Sequence, residues 1–382
     1  MSDKLLYAPS PTDLGSRVCL ISRVHGLQKV EEYFNNVPES MKTGVVFSSL
    51  LNCYAREKSA EKAEKLMQTM KDTGISVSTI CYNVMMNMYY QMNAHERLDS
   101  LMLEMEQTRI PYDQFTLSIR LSAYASVSDT EGIEKTVESI ASISQTAVDW
   151  SIYTIAADAY LKVNLVDKAV TMLKKCEELV NGKTGNEAFH MLIKLYAKTG
   201  RKEDLCRIWF HFKAERKVYN RGYITMIDSA LKLDDVELAE RVLDQWESGK
   251  LSYDFRIPDL LIRAYCKKGL VEKAGGLMRK AEANGVDPPM DAYSCLASKY
   301  LEDNEISKAT EAIERAISSR ADAEQRHPKR ELMSLCMKHI QGRGDRDRLG
   351  VFMECLRSEN VFSAAAVERL HLHLSNGPKI KC

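Results

Sequence analysis

Between Thr79 and Asp113 the apolar residues fall into two sets at helical spacing. Tyr82, Met85, Met86 and Tyr89 lie at i, i+3, i+4 and i+7, one face of a 3.6-residue helix. After a polar break at Gln91–Asn93, Leu98, Leu101, Met102 and Met105 take up the same spacing. The stretch stops at Arg109-Ile110-Pro111, because proline has no N–H to give and pushes its predecessor out of the α region. Each predicted helix is shorter than the roughly 12 residues at which an isolated helix becomes marginal in water. Such a pair must bury its apolar face on a neighbour.

Neighbours follow along the chain at a fixed period. Tyr54, Tyr89, Tyr124, Tyr160, Tyr196, Tyr265 and Tyr300 mark the ends of successive first helices, 35 or 36 residues apart except for one double step of 69, which holds a unit with Ala230 at that place. Second helices repeat a small residue and an apolar pair, as in Ala63-Leu66-Met67 and Ala274-Leu277-Met278. Between the helices stands a residue tolerant of a left-handed turn: Asn93, Asn164, Gly200, Asp234, Gly269 or Asn304. A sustained period near 35 predicts an all-α solenoid of about ten helix-turn-helix repeats whose core is shared between neighbours. Complete repeats are placed at 44–78, 79–113, 114–149, 150–185, 186–219, 220–254, 255–289 and 290–329. An N-terminal extension covers 1–11, and residues 12–43 read as a degenerate capping repeat with Gly26 at its turn. Residues 330–376 read as a degenerate repeat with a closing helix, and 377–382 as a tail.

Composition narrows the function classes. The chain of 382 residues is 45% hydrophobic and 28% charged, and its 53 basic residues balance 53 acidic ones. No overall charge bias draws it to nucleic acid or to a membrane surface, and no apolar run reaches the 18 residues of a membrane span. The opening MSDKLLYAPSPTDLGS has neither a secretory h-region nor an Arg/Ser-rich amphipathic leader, as expected of a cytosolic chain or of a mature or truncated one. Ten scattered cysteines without a C-x-x-C pair fit thiols in a reducing compartment. Catalysis has little to stand on. The histidines form no H-x-E set, His371 and His373 point to different helix faces, and no phosphate-cradling glycine loop is present. An enzyme is not expected, nor a metal, cofactor or small-molecule substrate. Trp209 and Trp246 sit at second-helix apolar positions and read as core, as do the methionines.

The signature Y-N-x-L/M-I/M-x-x-Y, a lysine near the turn, A-x-x-L-M and then G-I/V-x-P-D resembles the pentatricopeptide repeat family. It is carried by Tyr82-Asn83-Met85-Met86-Tyr89, by Tyr265-Cys266-Lys267-Lys268-Gly269 with Ala274-Leu277-Met278, and by Ile110-Pro111-Tyr112-Asp113. The opening from Val24 to Met67 looks like a plant organellar subfamily of plain repeats. The resemblance implies a right-handed superhelix with single-stranded organellar RNA held along the first helices, about one base per repeat. It implies a mitochondrial location first and a chloroplast one second.

The resemblance also assigns columns. Bases are read by the fifth residue of a repeat together with its last, here Ser48 with Ser78, Asn83 with Asp113, Ser118 with Asp149, and Thr154 with Gly185. Asn83/Asp113 matches the uracil-preferring combination, and Ser118/Asp149 is close to a guanine-preferring one. The competing reading of Ser78, Asp113 and Asp149 is helix N-capping. The second position, where an apolar side chain wedges between bases, holds Val45, Ile80 and Phe115, then Ser151, Glu187, Arg221, Arg256 and Asp291. The N-terminal repeats are therefore the ones equipped to bind bases. The thirteenth position carries Arg56, Lys162, Lys198, Lys232 and Lys267, five basic residues among eight where the chain average is about one in seven. These resemble phosphate contacts, and the alternative is a cation offsetting a helix C-terminus. The rival to RNA is a scaffold that docks on ribosomal or other organellar proteins.

Overall fold

The computed structural model describes residues 9–140, 149–180, 184–249 and 251–303, with scattered positions from 305 to 315. The expected degenerate repeat at 330–376, with His371 and His373, lies outside the described residues, as does Asn304. Every regular element described is helical, and among the described residues no helix is long and apolar enough to cross a membrane.

The chain divides into two compact units, Met1–Thr199 and Gly200–Cys382. The first holds α1 (Pro11–Asn35), α2 (Gly44–Arg56), α3 (Ala60–Asp72), α4 (Thr79–Gln91) and α5 (His95–Gln107). It continues with α6 (Gln114–Ser126), α7 (Thr130–Ile140), α8 (Trp150–Lys162), α9 (Val166–Leu179) and α10 (Asn186–Lys198). The second holds α11 (Lys202–Glu215), α12 (Asn220–Lys232), α13 (Val236–Glu247), α14 (Arg256–Lys268), α15 (Val271–Ala283) and α16 (Met290–Glu302). Within each unit a first helix packs on its own second helix and on the next first helix. The contacts α2 to α4, α4 to α6, α6 to α8 and α8 to α10 make one row, and α12 to α14 to α16 another.

The helical pattern is buried as its spacing requires. Tyr82, Met85, Met86, Tyr89, Leu98, Met102 and Met105 are all core, as are Trp209 and Trp246. Two local expectations change. The helices of the 79–113 repeat have 13 residues each, longer than the apolar sets alone suggested. Arg109, left-handed at φ 56°, ends α5 before Pro111 is reached, with Ile110 N–H on the Met105 carbonyl at 2.9 Å.

The turns explain the tyrosine column. Asn93, Asn164, Gly200, Asp234 and Gly269 are left-handed as expected, and so are Lys58 and Ser128. In most of these turns the N–H of the residue after the left-handed one returns to the carbonyl of the tyrosine column. Ala94 to Tyr89 (2.9 Å), Leu165 to Tyr160 (2.8 Å) and Leu270 to Tyr265 (2.9 Å) are examples. This is the 6→1 bond of a Schellman ending. The hydroxyls clasp the preceding repeat. Tyr89 donates to Glu64 at 2.6 Å, Tyr124 to Asp99 at 3.1 Å and Tyr265 to Glu240 at 2.7 Å. A cation one second helix further on closes two of these clasps, Arg97 on Glu64 and Lys273 on Glu240 at 2.6 Å, and Lys168 pairs with Glu134 in the same way beside the Tyr160 ring. Burial and then the Glu64 bond push the Tyr89 hydroxyl up to about 12. Gly132 takes the cation's place in α7, because a Cβ there would lie 2.6 Å from the Tyr124 ring.

Candidate nucleic-acid interface

The first unit carries a groove of about 900 Å³ across α1, α2, α4 and α6. Ile80, Asn83, Asp113, Phe115, Ser118 and Arg56 line it together, with Val84, Met88 and Ile119 as further apolar wall. Ile80 and Phe115 are 64% and 63% exposed, an unusual state for large apolar side chains spaced one repeat apart. Both stand at the second position of their helices, where the N-terminal turn has no preceding coil to cover them. Val45, 49% exposed, occupies the same place on α2.

Asn83 and Asp113 meet across the repeat junction. The Asn83 amide nitrogen donates to both Asp113 carboxylate oxygens, at 3.0 and 3.2 Å. Asp113 is also the N-cap of α6, accepting from Thr116 N–H at 2.8 Å. The capping reading and the pairing therefore hold at once: one carboxylate closes the helix and orients the amide. The Thr116 hydroxyl shares its proton between Asn83 Oδ1 (2.7 Å) and Asp113 Oδ1 (2.9 Å).

The other expected readers are placed differently. Ser48 bonds the Gly44 carbonyl at 2.7 Å and lies 3.2 Å from Cys81 Sγ, which also approaches Ser78 at 3.8 Å. Ser118 reaches the groove but gives its proton to the Gln114 carbonyl at 2.6 Å. Asp149 caps α8 through Ser151. Thr154 does not face a groove: it is 2% exposed, with its hydroxyl on the Ser151 carbonyl at 2.7 Å.

The basic column is largely neutralised. Asp158 holds Lys198 at 2.7 Å and Lys162 at 3.4 Å, and Asp228 holds Lys232 at 2.6 Å. Burial pushes the Asp158 carboxyl up, but Lys198 and Lys162 outweigh it and keep it below the usual carboxylate range. Arg56 donates to Ser22 at 2.8 Å, and Lys267 is exposed with no ion-pair partner among the described residues. Any phosphate drawn to Lys162, Lys198 or Lys232 competes with a carboxylate already present.

Sequence reasoning missed part of this wall. Arg23 and Cys19 of α1 line the groove, with Asn52 and Asn87 from the ninth position of α2 and α4. The degenerate register of the first repeat hides Arg23 and Cys19, whereas Asn52 and Asn87 stand 35 residues apart and were open to the same column reading.

The second unit has its own, polar hollow of about 460 Å³ lined by Arg263, Lys267, Asp291, Ser294, Lys299 and Glu302, among others. Two of its cations are paired, Arg263 with Asp259 at 2.8 Å and Lys299 with Glu302 at 2.6 Å. Among the described residues no group of three or more His, Cys, Asp or Glu side chains is placed to hold a metal ion.

Comparison with known proteins agrees with this repeat geometry. Residues 42–87 match the PPR repeat family and residues 259–286 the PPR repeat, one segment in each unit. A mitochondrial pentatricopeptide repeat-containing protein of Arabidopsis thaliana is 34% identical over 95% of this chain and 74% of its own length. The large ribosomal subunit protein mL101 (rPPR4) of the same plant is 36% identical over 91% of this chain and 71% of its own. The crystal structure of the pentatricopeptide repeat protein PPR10 from maize superimposes with a TM-score of 0.67 at 18% identity. The match covers 91% of this chain and 47% of that one, so this chain spans about half of that protein. The same maize protein in complex with an 18-nt psaJ RNA element gives 0.58 at 18% identity, covering 88% of this chain and 56% of that one. With the 35-residue hairpins, the tyrosine-closed turns and these relatives together, the chain belongs to the pentatricopeptide repeat family.

Proposed function

We propose that the first unit binds single-stranded RNA in the groove across α1 to α6. In this reading Asn83 with Asp113 selects a uracil and Ser118 with Asp149 meets the next base. Ile80 and Phe115 stack against the bases, with Val45 ahead of them. Arg56 contacts the backbone, and Lys162, Lys198, Lys232 and Lys267 supply weaker or competed contacts. One observation carries the reading: Ile80, Asn83, Asp113 and Phe115 converge on one open groove, two exposed apolar faces flanking a polar pair. Bases offer a π-face to such side chains and a hydrogen-bonding edge to the amide. The mitochondrial relatives support an organellar role in that compartment.

Binding of short RNAs followed by fluorescence anisotropy tests this. The chain is expected to prefer an RNA with one central uridine, and Asn83→Ala is expected to bring the uridine and cytidine forms to equal affinity. An unchanged preference rejects the assignment of Asn83. The scaffold reading draws on a different observation, the relative that is a large ribosomal subunit protein. It is favoured if the intact chain binds none of the RNAs and sediments with the mitochondrial large subunit.

A further inference from the structure

We infer that Thr116 is a positioning residue for base recognition: its hydroxyl fixes which face of the Asn83 amide the groove presents. The inference rests on the RNA reading above. It starts from a column in which Thr116 is out of character. The third position of successive first helices holds Val46, Cys81, Thr116, Ile152, Ala188, Gly222, Ile257 and Ala292. These side chains pack into the repeat junction, and Thr116 there is 0% exposed. A buried hydroxyl must spend its proton on a partner, since leaving it unpaired carries the full desolvation penalty. The acceptors in reach are Asn83 Oδ1 at 2.7 Å and Asp113 Oδ1 at 2.9 Å.

The consequence for Asn83 is directional. Asp113 as a carboxylate only accepts, so it holds the amide nitrogen. Thr116, itself bonded to the same Asp113 oxygen, holds the amide oxygen. With both ends engaged, what Asn83 offers to the groove is its remaining N–H. A lone donor suits a carbonyl edge such as that of uracil and opposes the exocyclic amine that cytosine places at the same edge. Without the hydroxyl, Oδ1 sits unpaired against an apolar wall and gains by turning to the groove, where it accepts from an amine. The lock thus acts by withholding an acceptor.

A second junction has the same arrangement. Ser48 lies 3.2 Å from Cys81 Sγ, the third position of its following helix, and Cys81 also approaches Ser78 at 3.8 Å. A hydrogen-bonding third residue therefore touches the fifth residue of the preceding repeat at both junctions. At the next junction apolar Ile152 takes the place, and Ser118, which like Ser48 bonds the carbonyl four residues back, has no hydrogen-bonding third residue to meet.

The test measures the affinity ratio between RNAs with uridine and cytidine at one central position, for the intact chain and for Thr116→Val, Thr116→Ser and Asn83→Ala. Melting temperatures are recorded alongside, so that loss of the helix cap is read separately from loss of selectivity. Thr116→Val is expected to lower the uridine-to-cytidine ratio by roughly 2- to 12-fold, the effect of one net hydrogen bond. Thr116→Ser, which keeps the hydroxyl, is expected to restore it. An unchanged ratio in Thr116→Val overturns the inference while leaving Asn83 as reader, provided Asn83→Ala abolishes the ratio. Equal loss in the valine and serine variants overturns it as well, since packing and not the hydroxyl is then responsible. An intact chain that shows no preference overturns the inference together with the reading on which it rests.

Discussion

The two units share one set of positions and differ in another. In both, the tyrosine column closes the turn and clasps a carboxylate of the preceding repeat, as Tyr89 does with Glu64 and Tyr265 with Glu240. In the groove they part. The first unit presents Ile80 and Phe115 beside the Asn83–Asp113 pair, while the second presents Arg263, Asp291, Lys299 and Glu302, with Arg263 and Lys299 held by carboxylates. The eleventh residue of a first helix faces the repeat junction and the second faces the groove, so one can be held for stability while the other changes.

The sharpest way to break this comparison is at the wedges. Phe115→Ala is expected to weaken RNA binding by about 1–3 kcal/mol, roughly 5- to 150-fold, with the melting temperature unmoved, since its ring is exposed. Asp291→Ala in the second unit is expected to leave RNA affinity unchanged. Equal effects of the two changes, measured by titration, end the distinction between the grooves.

A smaller effect separates the shared column from the divergent one. Tyr89→Phe and Tyr265→Phe each remove a hydroxyl bonded to a partly exposed carboxylate, and each is expected to cost about 1 kcal/mol of stability. Denaturant melts check the cost, and RNA affinity is expected to stay constant. A change in affinity with no change in stability would place the tyrosines among the ligand contacts.

The smallest effect concerns charge. Asp158→Asn releases Lys162 and Lys198 together. If both then meet phosphates, the dependence of log affinity on log salt steepens by about 1.4, two contacts at roughly 0.7 each. An unchanged slope shows that these lysines lie off the RNA path, whatever their register in the column.

The period of 35 residues was legible in the sequence because each repeat must bury the same faces. Spacing alone placed Tyr82, Met85, Met86 and Tyr89 in the core and assigned left-handed turns to Asn93, Asn164, Gly200, Asp234 and Gly269. It also put Ile80, Asn83, Asp113 and Phe115 in columns that the fold brings to one groove. Tertiary structure decided what each column member touches. Lys162 and Lys198 look alike in register, yet both lean on Asp158. Thr154 shares the register of Asn83 and is buried. Arg23 joins the groove from a repeat too degenerate to align, and Thr116 becomes the partner of Asn83 through a contact between residues 33 apart. A repeat pattern states which face a side chain occupies. Which neighbour it meets there depends on the rotamers and charges of the adjoining repeat, and those appear only when the helices are packed.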